Sequence, residues 1–466
     1  MGSLDSGFLH ELTSLLGGEA VMTEAADCWP YGGDNSRKRA QPDAVVFPTT
    51  HEQVSAIVRS CNRYRVPLVV RGRGTGTVGG AIPNLGGVVL STENMQRIID
   101  TDPANRLMVV EPGVTNQAVQ DEAGRHGFFW PPDPTSAAFC TVGGNLAFNA
   151  AGPRAVKYGT CRENVLGLRA VTGTGETVHT GVLTTKGVVG YDLTRLIVGS
   201  EGTLAVITRA VLKLTPLPEA KRTLQAVYAT VADATAAVVR IMSQPNTPCA
   251  LEFIDGNAVD MIRDYSEADL PDRAGAMLMI EVDGPQAGID GSLKAVEAAA
   301  SGAGLLRLRA ASTAQEVSAL WSTRKALSPA LRKIAPNKLN EDVVVPVSRI
   351  PDLVEGLEVL SREHGIPIVN FGHAGNGNIH VNLLYDAQDA EQEREARPCL
   401  SRVFDLVLSL GGTLSGEHGV GNEKRDYVAR EIDAATLALM AGIKRQFDPN
   451  GILNPGKMLP LPVAAA

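Results

Sequence analysis

Two short segments near the C-terminus carry the residue types that chemistry needs: His373-Ala-Gly-Asn-Gly-Asn-Ile-His380 and Gly416-Glu417-His418-Gly419. Together they hold three imidazoles and a carboxylate on sharply turning backbone. Two imidazoles and one carboxylate suit Zn2+ or a similar divalent ion with one position open to substrate. The remaining imidazole, His418, then serves as a general base, because histidine titrates near neutral pH. The same spacing also fits two hydrogen-bonded histidine turns without metal, and spacing alone leaves both readings open.

The elements that must position these groups follow from geometry. Seven residues of helix would separate His373 and His380 by roughly 10 Å along the axis, too far to share an ion easily. A strand, a tight turn and a returning strand serve better. Gly375, Asn376 and Gly377 supply the turn, since Gly and Asn accept positive φ. Period two then points His380 and Asn382 to one face of the returning strand. Glu417 and His418 are neighbours that a regular strand would aim oppositely, so Gly416 and Gly419 predict an irregular turn there.

A second kind of motif fills the N-terminal half. Arg71-Gly-Arg-Gly-Thr-Gly-Thr77 follows a predicted strand and exposes successive backbone N–H groups, a natural cradle for a pyrophosphate. It is no Rossmann fingerprint, because Gly79-Gly80, Pro83 and Gly86-Gly87 break any following helix. It is no P-loop, because the terminal Gly-Lys-Ser/Thr is missing. Pro131–Ser136, Thr141–Asn145, Asn149–Gly152 and Val198–Leu204 repeat the pattern of glycines and small polar residues. Separated loops of this kind imply one extended ligand lying against backbone.

Around these motifs the chain alternates short strands and helices. Residues 42–216 read as strands at Val45–Phe47, Leu68–Arg71, Val88–Leu90, Leu107–Glu111, Val165–Val171 and Leu204–Leu214, with a helix over Gln53–Tyr64. Pro216 and Pro218 mark a boundary. Beyond it, Leu224–Tyr228 and Ala276–Glu281 read as strands, and Ala232–Met242 and Ser292–Ala300 as helices. Glu316–Lys333 reads as a helix kinked or broken near Pro329, Asp389–Leu410 as one interrupted at Pro398. Arg324 and Ser328, four apart, share a helical face.

In these motifs, and in their order from Tyr31 to Lys457, the chain resembles FAD-linked oxidoreductases of the vanillyl-alcohol-oxidase/PCMH fold. It is most similar to the branch of FAD-dependent D-2-hydroxyacid dehydrogenases, which includes D-lactate dehydrogenase, D-2-hydroxyglutarate dehydrogenase and the D subunit of glycolate oxidase. The resemblance implies an α+β chain: a PCMH-type FAD domain of two α+β subdomains over 1–217, and an α+β substrate domain with an antiparallel sheet over 218–425. A helical tail, 426–466, would return to the FAD domain. It implies that Arg71, Gly72, Arg73, Gly74, Thr75, Gly76, Thr77, Gly79 and Gly80 hold the FAD pyrophosphate. Pro132, Asp133, Thr135, Ser136, Gly143, Gly144, Asn145, Asn149 and Gly152 would line the isoalloxazine and ribityl groups. Glu201, Gly202 and Ile207 would meet the adenosine end, and Asn454 would close the site from the tail. Many relatives tether FAD through a histidine in the loop matching 71–77; this chain has none there, so FAD is expected to be non-covalent.

The same resemblance makes His373, His380 and Glu417 the metal ligands, for Zn2+ or Mn2+, and His418 the base. It assigns the substrate carboxylate to Arg324, Ser328 and Lys338, with Asn382 beside them. Ser328 stands where threonine is usual in the hydroxyglutarate enzymes, so the resemblance leaves the acid open: a lactate-like D-2-hydroxy acid is favoured, with 2-hydroxyglutarate and glycolate as close rivals. The chemistry is consistent: a metal on the hydroxyl lowers its pKa, an imidazole takes the proton, and hydride passes to flavin N5. No NAD site is visible, so the electron acceptor is expected to be a quinone, cytochrome, electron-transfer flavoprotein or partner subunit; a homodimer also fits. A metal-dependent hydrolase would leave the glycine loops without purpose. A non-catalytic electron-transfer subunit would have no need of His418 and Arg324.

Bulk properties agree. A net charge of -8 argues against a nucleic-acid partner. No run of about 20 apolar residues is present to span a bilayer, and no signal peptide is visible. A cytoplasmic protein, peripheral at a membrane at most, is the expectation. The six scattered cysteines include no C-x-x-C pair and read as reduced structural thiols.

Overall fold

The computed structural model describes residues 4–263 and 274–460, with several side chains of the helices near 262 and 328–334 outside the described set. The chain divides into two compact units. The first gathers Met1–Ala151, Gly159–Leu217 and Glu417–Ala466; the second gathers Gly152–Tyr158 and Pro218–Gly416.

In the first unit, β1 (Val21–Met22), β2 (Ala44–Val46), β3 (Leu68–Arg71) and β4 (Val88–Ser91) form a sheet of order β1-β2-β4-β3. β2 and β3 run parallel to β4, which requires a crossover, and helix His51–Tyr64 provides it. That helix starts in a capping box between Thr50 and Gln53 and stops where Arg65 turns left-handed. Its Val54, Ile57, Val58 and Cys61 bury against Leu68, Val88 and Leu90. Each such aliphatic side chain contributes about 1.5–3 kcal/mol relative to exposure.

The second sheet of this unit is antiparallel, ordered β5-β6-β10-β8-β9. It comprises β5 (Ile98–Asp102), β6 (Leu107–Val110), β8 (Val165–Thr172), β9 (Thr177–Gly181) and β10 (Ala205–Lys213). A two-stranded ribbon pairs β7 (Phe128–Phe129) with β11 (Thr215–Pro216). The core beneath centres on Trp130, fully buried, whose indole N–H donates to the carbonyl of Asn164 at 2.9 Å. The tail re-enters at the four-stranded sheet, Leu453 bridging Leu68 and the Asn454 amide donating to the Leu68 carbonyl.

The second unit is one seven-stranded antiparallel sheet, ordered β15-β12-β14-β13-β17-β18-β16. Its strands are β12 (Ala220–Tyr228), β13 (Ala250–Asp255), β14 (Ala276–Gly284), β15 (Leu305–Ala310), β16 (Asn337–Val344), β17 (Ile368–His373) and β18 (Asn378–Tyr385). Part of one face is closed by helices Gly256–Ile262 and Ala314–Ile334, whose Val259, Leu320, Leu327 and Leu331 pack on Met277, Met279, Val369 and Phe371. The excursion 152–158 is anchored to this sheet: Lys157 Nζ and Tyr158 Oη both donate to the Asp283 carboxylate, at 2.5 and 2.9 Å.

The structure corrects three local expectations. Helix Ala314–Ile334 runs unbroken through Pro329, and Ala390–Ser409 runs unbroken through Pro398. A proline removes one helical hydrogen bond, and buried side chains on both sides outweigh that loss: Ala396, Cys399, Leu400, Val403 and Phe404 in the second helix. Strands β13 and β15 were not anticipated by the sequence pattern at all. Among the described residues, no helix is long and apolar enough to cross a membrane.

Candidate active site

Register decides which side chains meet. In an antiparallel sheet, residues directly opposite share a face. Glu252 of β13 lies opposite His373 of β17, and His380 of β18 lies opposite Phe371 of β17 and Asp342 of β16. One face therefore collects Glu252, His373, His380 and Asp342. The turn between β17 and β18 is a single 3-10 turn, Ala374–Asn376, closed by Gly377 at φ +76°. This is the strand, turn and returning strand expected from the spacing, and it sets the two imidazoles edge to face with centroids 5.2 Å apart.

Glu417 completes the group. One ligand atom each from His373, His380 and Glu417 lies within 4.8 Å of the others. Asp342 sets the approach to Glu417: its carbonyl and its carboxylate both accept from the Gly416 amide, at 2.8 and 3.0 Å, and Ser415 Oγ donates to the same carboxylate. Just downstream, Gly419 turns at φ +88°, and the Glu201 carboxylate accepts from the amides of Val420 and Gly421 at 2.6 and 2.8 Å. The irregular turn carrying Glu417 and half-buried His418 is thus held from both ends.

The residue that sequence reasoning missed is Glu252. It is fully buried, and its two oxygens divide between His373 Nδ1 at 2.6 Å and Arg324 Nε at 2.7 Å. Burial works to raise its pKa, but its pairing with His373 and Arg324 prevails and holds it below the usual glutamate value. A carboxylate on Nδ1 fixes that nitrogen as the N–H and leaves Nε2 as the ligand atom. The donor set, two neutral imidazoles and a carboxylate with such an outer carboxylate, fits a divalent metal with room for substrate. Arg324 stacks over the Phe371 ring at 4.8 Å, so its guanidinium is oriented by both charge and π-face.

Other expected substrate groups fare differently. Lys338 lies on the same face of β16 as Asn340 and Asp342, and is half-buried. The side chain of Ser328 lies outside the described residues. Asn382 does share the face of His380, but its amide is engaged within the sheet. Its Nδ2 donates to the carbonyls of Val369 and His380, and its Oδ1 accepts from Asn340. Asn382 is fully buried on that face.

The glycine-rich loops converge in the first unit. The 71–77 loop packs on the 141–145 loop so tightly that a Cβ at Gly72 would collide with Thr141 Oγ1, while a Cβ at Gly76 would meet nothing. Arg71 curls beneath the loop, donating to the Gly33 carbonyl at 2.5 Å and facing the Tyr31 ring, whereas Arg73 is exposed. Asn116, not foreseen from sequence, donates to the Pro132 carbonyl at 3.0 Å and to Asn145 Oδ1 at 3.2 Å, locking the 132–136 loop to the helix carrying Gly143 and Gly144. Asn149, at φ +50°, turns its side chain to Thr160 and Arg162. Ile207 faces the buried core of the unit. Asn454, 2% exposed, donates to the carbonyls of Gly80 and Glu201, and its Oδ1 has no protein partner. An orphaned acceptor beside exposed loop amides suits a polar ligand such as the dinucleotide FAD.

Comparison with known proteins gives the class. Residues 42–181 match the FAD binding domain model and 217–458 the model for FAD linked oxidases, C-terminal domain. The chain belongs to the family of FAD-linked oxidases and binds FAD as its members do. It is 38% identical over 420 residues to glycolate oxidase subunit GlcD of Bacillus subtilis, covering 90% of this chain and 89% of that one. It is also 38% identical over 425 residues to D-lactate dehydrogenase of Archaeoglobus fulgidus, covering 91% and 92%. It is 32% identical to D-2-hydroxyglutarate dehydrogenase of Stutzerimonas stutzeri over 463 residues, 97% and 99% of the two chains. The fold is that of p-cresol methylhydroxylase, matched with TM-score 0.78 at 20% identity over 97% of this chain and 96% of that one.

Proposed function

We propose that this chain is an FAD-dependent dehydrogenase that oxidises a lactate-like D-2-hydroxy acid to the 2-oxo acid. The observation that carries the reading is the join at Glu252, where one buried carboxylate holds both a metal-type imidazole and a guanidinium suited to a substrate carboxylate. The names of the relatives, D-lactate dehydrogenase and glycolate oxidase subunit, support it.

Each residue has a task. Arg324, with Nε held by Glu252, offers its terminal nitrogens to the substrate carboxylate, and Lys338 adds charge from β16. His418 accepts the hydroxyl proton. His373, His380 and Glu417 would hold Zn2+ or Mn2+. The bound groups supply the rest: FAD a hydride acceptor, the cation a Lewis acid at the hydroxyl oxygen. The loops at 71–80, 132–152 and 201–202, with Asn454, hold FAD without a covalent bond, there being no histidine in 71–77. Electrons then leave to a quinone, a cytochrome, a flavoprotein or a partner subunit.

Purified protein should show flavin bands near ~450 nm, and acid precipitation should release the flavin into solution. Dye reduction should follow addition of D-2-hydroxy acids and not of their L forms. Colourless protein, or reduction by L acids alone, would sink the reading. His418→Ala should keep its flavin while turnover falls by about 10²–10⁴.

A further inference from the structure

Between the five-stranded sheet and the start of helix His51–Tyr64 in the first unit lies a cavity of about 550 Å³ lined in part by His51, Met95, Ile99, Arg169, Thr208 and Arg209. None of these belongs to the residues assigned to flavin, metal or substrate. Two β-bulges shape it. β10 shifts register between Ile207 and Arg209, and β5 shifts between Ile98 and Asp100; the residues at the shifts, Thr208 and Ile99, both line the cavity. Bulges re-aim side chains and recur beside binding sites.

The charges are arranged against the interest of the fold. Arg209 lies directly opposite Arg169 in the ladder, and Arg169 directly opposite His179. Like charges in that position repel. Arg169 has one surface partner, Glu52 at 3.2 Å, while its buried Nε has none. The neighbouring Arg97 is closed by Glu111 at 2.7 and 3.0 Å, but among the described residues no carboxylate pairs with Arg209. His51 is engaged at both nitrogens, by Thr208 and Thr177 at 2.7 Å each, and forms a wall. Met95, Ile98 and Ile99 add apolar surface to the lining, beside the closed Arg97–Glu111 pair.

We infer that this cavity is a second ligand site, taking a small organic anion: a carboxylate or phosphate on a short apolar body. The anion would face Arg169 and Arg209, whose planar forks bind such groups bidentately. Its apolar part would lie on the isoleucines, in a space of ordinary size for small-molecule sites.

Calorimetry of the flavin-loaded enzyme at low salt tests this, with butyrate and butyl phosphate as probes. At least one should bind saturably, and the stronger identifies the head group. Arg209→Gln should weaken binding at least tenfold, and Ile99→Trp, which fills the cavity without removing charge, should abolish it. Binding should survive Arg324→Gln, which excludes the substrate site. With no probe present, Arg209→Gln should melt at a higher temperature than wild type, because the repulsion is gone. The proposal is overturned if neither probe binds, if Arg209→Gln binds as wild type, if the probe displaces FAD, or if Arg209→Gln melts lower.

Discussion

Glu252 sits in Ala250-Leu-Glu-Phe-Ile-Asp255, a segment with no motif around it, yet it joins a candidate metal ligand to the candidate substrate cation. Its substitution should therefore disturb two functions together. Glu252→Gln should lower metal affinity about 10–100-fold, as loss of such supporting carboxylates does, and raise KM for the hydroxy acid in parallel. Metal content by mass spectrometry and KM by dye assay check this; a change in one without the other would break the link. Arg324→Lys keeps the charge but loses the fork and the stacking on Phe371, so KM should rise by about tenfold or more with flavin content unchanged. The histidines, Glu417 and Arg324 were legible because glycine-framed histidines and an arginine on a helix are local signals. Glu252 and Asn116 were not, because an acid inside a strand and an amide at a helix start carry no meaning until register and packing give them neighbours.

At the scale of elements, the turn 374–377 was legible because glycine and asparagine declare positive φ. The two proline-containing helices read as kinked, broken or interrupted because the rule for proline is local, while the burial that keeps them continuous is not. Asp255, at the end of β13, caps helix Gly256–Ile262 through the Ala258 amide and clips β17 through the Asn370 amide. Burial raises its pKa from 3.8 to about 7 despite those two donors. The folded chain then keeps a proton that the unfolded chain releases, so this group costs stability as pH rises from about 4 to about 7. Asp255→Asn, neutral throughout, should remove that slope: its stability relative to wild type should grow over this window by up to about 4 kcal/mol. Urea midpoints at the two pH values measure it, and a difference independent of pH would show that Asp255 titrates normally. In the first unit, Gly72→Ala drives a methyl into Thr141 Oγ1, and flavin retention after gel filtration should fall sharply.

At the scale of the molecule, two units with separate cores should unfold with separate sensitivities. Stripping FAD should lower the calorimetric transition of the unit built on the two smaller sheets. Chelation with EDTA should lower that of the seven-stranded unit and abolish turnover, with Zn2+ or Mn2+ restoring both. Activity indifferent to chelator would return His373, His380 and Glu417 to a structural role. The residue types, their glycine frames and their order along the chain by themselves determined the family and the flavin and singled out the candidate histidines, since these depend on backbone freedom and side-chain chemistry close in sequence. The excursion of 152–158, the register that brings Glu252 against His373 and the row of arginines beside the bulge in β10 were decided only by tertiary structure. Each depends on pairing between strands far apart in the chain, and a strand's own sequence does not name its partner.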